Sequence, residues 1–80
     1  MERKRVRNGS GKVAEQKRQL LQRMAKTASA MRETAERMRA FASTLSDVEQ
    51  CNCLVRCGEL AGASSILLGW VEAIRELPVQ

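Results

Sequence analysis

Between Lys12 and Leu45 the apolar positions recur at alternating intervals of three and four, with no proline or glycine among them. Met24, Met31, Met38 and Leu45 form one row seven residues apart, and Leu21, Ala28, Ala35 and Ala42 form a second. That period places both rows on one face of an α-helix. The intervening residues, mostly Arg, Lys, Glu, Gln and Ala, are strong helix formers. The spacing therefore predicts a helix over residues 12–45, with Ser10 as a candidate N-cap and a coiled-coil-like seam of alanine against methionine.

A second stripe begins after Ser46-Asp47-Val48-Glu49, which fits the capping-box pattern in which the Ser46 and Glu49 side chains each accept from the other's backbone amide. Cys53, Cys57, Leu60, Ser64, Leu67, Val71 and Ile74 again alternate by four and three. Extending the first register past Leu45 puts Glu49, Asn52, Arg56 and Glu59 in the seam, so the register must shift at a turn over residues 45–47. A second helix is expected over 47–77, ended by Pro78. Gly58, Gly62 and Gly69 weaken that helix by roughly 0.8–1.0 kcal/mol each relative to alanine. A break near Gly62-Ala63-Ser64-Ser65, giving three helices, is one alternative; a single long helix with a stutter is another. The fold class expected is all-α, an antiparallel two-helix hairpin that assembles into a four-helix bundle.

Oligomerisation follows from size. A chain of 80 residues buries only about 60–65% of its unfolded surface, too little for a robust core of its own. Ile66, Trp70, Ala73 and Leu77 form a further apolar strip offset from the main seam. Tryptophan at the centre of such a strip is a natural interface anchor. The expected protein interface comprises Ile66, Leu67, Trp70, Val71, Ile74 and Leu77, facing a second copy or a helical partner.

Charge divides the chain. Residues 1–40 hold twelve Lys/Arg against four Glu, whereas residues 41–80 hold two Arg against five acidic residues. The densest cluster, Arg3, Lys4, Arg5 and Arg7, precedes Asn8-Gly9-Ser10-Gly11, a composition typical of flexible segments. Residues 1–11 read as a flexible basic arm and residues 12–80 as the hairpin. Helix rises of 1.5 Å per residue bring Leu77 near Lys17 or Arg18 in a folded-back pair. Arg3, Lys4, Arg5, Arg7, Lys12, Lys17 and Arg18 then collect at the open end. This patch is suited to nucleic-acid phosphates read without sequence specificity, since Phe41 and Trp70 are the only aromatics for base stacking. Lys4-Arg5-Val6-Arg7 also has the composition of a short nuclear-import signal.

Catalytic chemistry has little to work with. Histidine is absent, which removes the commonest general base and every Cys-His or Ser-His pair. Cys51, Cys53 and Cys57 supply three thiols where a structural zinc site usually needs four ligands, and Cys51 points about 160° from Cys53 on a helix. No metal, cofactor or enzymatic activity is expected. The strongly apolar run Ile66–Val71 is too short for a bilayer, and no secretory apolar region follows the arm. The expectation is an intracellular protein, cytoplasmic or nuclear, without a membrane span. Its function is nucleic-acid binding by a dimeric hairpin or, alternatively, service as an adaptor or chaperone subunit that docks a partner helix.

Overall fold

A computed structural model describes residues 2–78, with side chains described from Gly11 onward. Two α-helices pack against each other as a helical hairpin: α1, Glu2–Ala42, and α2, Asp47–Arg75. Residues 2–11, expected as a flexible arm ahead of a helix capped by Ser10, are instead the first turns of α1, so Ser10 lies inside the helix rather than at its N-cap; the side chains of Arg3, Lys4, Arg5 and Arg7 lie outside the description. The hairpin is long and thin, 68 × 16 × 11 Å.

Both helices end where backbone polar groups find other partners. The last four carbonyls of α1 are all satisfied by the turn. Ser43 N–H donates to Arg39 O, Ser43 Oγ to Ala40 O and Thr44 Oγ1 to Phe41 O, while Leu45 N–H and Gln50 Nε2 both donate to Ala42 O. Hydroxyls that bond back to the preceding turn compete with helix continuation. That is why α1 stops at Ala42 rather than at Leu45. Ser46 is the N-cap of α2 in an extended conformation, but its side chain makes no capping hydrogen bond, so the expected capping box does not form. Asp47 enters α2 at a φ of 23°, a backbone turn that displaces the reciprocal geometry a capping box needs. At the other end α2 stops at Arg75; Glu76 N–H and Leu77 N–H donate back to Glu72 O and Ile74 O ahead of Pro78.

The glycines do not break α2, which is continuous through Gly58, Gly62 and Gly69. Its seam has the expected membership: Cys57, Ser64 and Val71 are buried, and Cys53, Leu60, Leu67 and Ile74 are half-buried. On α1, Ala28, Ala35 and Ala42 are buried and Leu21, Met24, Met31, Met38 and Leu45 half-buried. Each helix thus contributes one row of small buried residues and one row of larger, partly covered ones. Gln50 extends the α2 seam by a turn, and half-buried Lys17 extends that of α1.

Alanine in the buried row has a specific consequence. With only a methyl group between backbones, short side chains of α2 reach carbonyls of α1. Ser64 Oγ donates to Ala28 O at 2.8 Å, Cys57 Sγ to Ala35 O at 2.9 Å and Cys53 Sγ to Met38 O at 3.4 Å. Gln50 Nε2 reaches Ala42 O at 3.0 Å. Partner numbers fall along α1 as they rise along α2, which fixes the register from the turn to the open end. Ordinary helix pairs, 8–10 Å apart with large side chains between them, leave such carbonyls out of reach of a serine.

Candidate interaction surfaces

The two flanks of this seam differ in chemistry. On α1 the positions on one side, Val13, Leu20, Thr27, Thr34 and Phe41, repeat every seven and carry no charge. The corresponding row on the other side is Arg18, Ala25, Arg32 and Arg39.

The uncharged flank continues onto α2. Val13, Gln16, Lys17 and Leu20 of α1 meet Ile74, Leu77 and Pro78 in an open groove of about 290 Å³. Leu77 belongs to the row Ala63, Trp70, Leu77, with Ile66 and Ala73 just beyond it. Ile66, Trp70 and Leu77 are each more than half exposed, and Val13 and Leu20 nearly so. The structure therefore splits the expected interface set. Ile66, Trp70 and Leu77 face outward. Val71 is buried against α1, and Leu67 and Ile74 are half-buried in the same seam. The centres of the two sets lie about 90° apart in a seven-residue repeat, with Trp70 and Leu77 only about 50° from Leu67 and Ile74, and inspection of apolar character alone merges the two stripes.

The charged flank is a second groove, about 460 Å³ and open to solvent. Arg32, Glu36 and Arg39 stand on its α1 side, and Ala61, Gly62 and Ser65 on its α2 side. Arg32 Nη2 donates to Ser65 Oγ at 3.3 Å across it. The seven-residue repeat of Arg32 and Arg39 marks this flank in the sequence and predicts pairing with α2 carboxylates such as Glu59 or Glu72; in the structure Glu59 pairs with Arg56 and Glu72 with Arg75 instead.

Of the basic residues expected at the open end, three have described side chains. Lys12 is exposed. Lys17 Nζ donates to Arg75 O at 2.8 Å and also to Leu77 O, so its ammonium occupies the carbonyl end of α2. Cations there complement the negative pole of the helix dipole. Arg18 pairs with Glu15, and this hydrogen bond holds the Glu15 carboxyl below its usual range of about 4.5. Lys17 and Arg18 thus have partners within the hairpin.

Cys51 is exposed, Cys53 half-buried and Cys57 buried. Among the described residues no group of three or more His, Cys, Asp or Glu is arranged to hold a metal ion. By length and composition alone, Asp47–Arg75 is apolar enough to cross a membrane, and only 17% of its most apolar window is buried in the hairpin. Arg56, Glu59 and the glycines divide the stretch, so it contains no long uninterrupted apolar run. No protein-family model, curated protein or solved structure matches the chain.

Proposed function

We propose that the chain is a small non-enzymatic helical interaction protein, whose antiparallel hairpins pair through the uncharged flank to give a four-helix bundle. The observation that carries this reading is Trp70. It stands 58% exposed at the centre of a strip that runs from Ile66 to Leu77 and crosses onto Leu20 and Val13 of α1. A large aromatic at the middle of an uncharged strip is the arrangement that buries most area per side chain when a partner arrives. Paired hairpins also supply the core that one hairpin lacks. Sedimentation equilibrium of the full chain and of Trp70→Ser tests it. A dimer that Trp70→Ser converts to a folded monomer supports the reading; a wild-type monomer refutes self-pairing and leaves the strip to a helix of another protein.

A second role is favoured by the division of charge. The basic start of α1, Arg3, Lys4, Arg5 and Arg7 with Lys12, would contact nucleic-acid phosphates without sequence specificity. Salt titration of duplex DNA and RNA binding, with and without residues 1–11, tests this. Affinity that falls steeply with salt and disappears with those residues supports it; absence of binding at low salt removes it.

A further inference from the structure

The flank carrying Arg32 and Arg39 has no part in the pairing proposed above. We propose that it is a docking groove for one helix of a different protein, a helix that presents carboxylates seven residues apart beside an apolar stripe.

Three observations carry this. First, the groove floor is low. Ala61, Gly62 and Ser65 are small, and a Cβ placed on Gly62 meets nothing within 4 Å. An incoming helix that takes the Arg32 guanidinium over from Ser65 Oγ can therefore approach α2 closely there, as small residues permit along the seam of this same hairpin. Second, Leu54 and Leu68 remain exposed at 43% and 40%, seven residues to either side of Ala61 on α2. They provide apolar contact above and below the small floor, so an amphipathic helix has surface to cover.

Third, the rim carries a net positive charge. Arg32 and Arg39 are two turns apart, about 10.5 Å along α1. Among the described residues neither guanidinium sits in an ion pair, whereas Arg18, Arg37, Arg56 and Arg75 each do. Flanking charges of this kind choose partners in helical assemblies. Carboxylates at positions i and i+7 of the incoming helix meet both guanidiniums. Glu36, which also lines the groove, is one helical position farther from the seam and offsets part of the rim charge.

The same criterion argues against a second copy as occupant. No two of the nine acidic residues in this chain are seven apart. Neither helix of a copy therefore presents carboxylates at that spacing to this rim.

The test uses the full chain and synthetic helical peptides of three heptads. The probe has Leu and Ala at its seam positions and Glu at one flanking position of each heptad; the control has Lys there. Fluorescence anisotropy of the labelled peptides should show the Glu peptide bound at least about tenfold more tightly than the Lys peptide. Arg32→Glu with Arg39→Glu should reverse that preference. Arg23→Glu with Lys26→Glu, which changes net charge equally outside the groove, should alter it much less, and Gly62→Leu should abolish binding while the helical circular dichroism persists. Absence of Glu-peptide binding overturns the proposal. So does an equal response to the two charge-reversal pairs, which would reduce the effect to net charge, and so does undiminished binding to Gly62→Leu.

Discussion

The hydroxyl of Ser64 donates to the carbonyl of Ala28 at 2.8 Å, joining two fully buried residues 36 positions apart. The contact exists only because both side chains are small, so the effects of changing them separate by volume. Ser64→Ala removes one hydrogen bond without stranding a donor, and should cost about 0.5–1.5 kcal/mol. Ala28→Leu or Ala35→Leu forces the helices apart and also breaks neighbouring bonds, and should cost about 1–3 kcal/mol or more. Urea unfolding followed by circular dichroism checks both magnitudes and their order.

Lys17 offers a prediction in which the charge hypothesis and the hairpin geometry part company. Its ammonium holds the last carbonyls of α2, so Lys17→Met should destabilise the hairpin by about 0.3–1 kcal/mol. Faster amide exchange should appear around Ile74 to Leu77 and not near the turn. Any nucleic-acid affinity should be nearly unchanged, whereas removal of residues 1–11 should abolish it.

The glycines of α2 invite the opposite experiment. Gly58, Gly62 and Gly69 lie in a continuous helix, and an added Cβ meets nothing at any of them. Each substitution by alanine should therefore stabilise the isolated chain by about 0.8–1.0 kcal/mol. The thermal midpoint should rise in each case. A fall at Gly62 alone would locate a contact made there in an assembly.

Trp70 is the only tryptophan, and the chain has no tyrosine, so it reports its own environment without interference. Pairing through its face should shift the emission to shorter wavelength as concentration rises. Val71→Ser, one residue away but buried in the seam, should instead unfold the hairpin. A concentration-independent spectrum typical of exposed indole would contradict self-pairing.

Glu15 provides a pH signature of local order. Its hydrogen bond to Arg18 lowers the carboxyl pKa below 4.5, so the pairing is present above that value and is lost as pH falls through the lowered pKa. A carbon-detected NMR titration should show a midpoint below 4.5 that returns upward in Arg18→Gln. Because Glu15 is fully exposed, global stability should change little over the same range.

Much of the fold is legible in the residues themselves. The alternation of four and three identifies Leu21 to Leu45 and Cys53 to Ile74 as the facing rows, because only residues at that spacing share a helix face. Lys17 and Gln50 were harder to place: both extend the seam, yet polar character assigns them to solvent until their hydrogen bonds to carbonyls across the hairpin are seen. The end of α1 depends on the Ser43 and Thr44 hydroxyls choosing the backbone over water, a competition with no periodic signal. The interface set mixed two faces for a related reason. Residues 66, 67, 70, 71, 74 and 77 span an arc of about 150° on α2, wider than the part the other helix covers, and apolar character cannot tell which part that is.

The shape of the hairpin governs how its assembly can be detected. A body 68 Å long and 16 by 11 Å across tumbles end over end far more slowly than it spins about its axis. The backbone N–H bonds of both helices lie nearly along that axis, so nitrogen relaxation senses the slow rotation almost alone. Two such rods joined side by side become thicker but hardly longer. Their rotational correlation times consequently rise, and their elution volumes fall, much less than doubling the mass implies, and the stoichiometry has to be read by a method that weighs the particle.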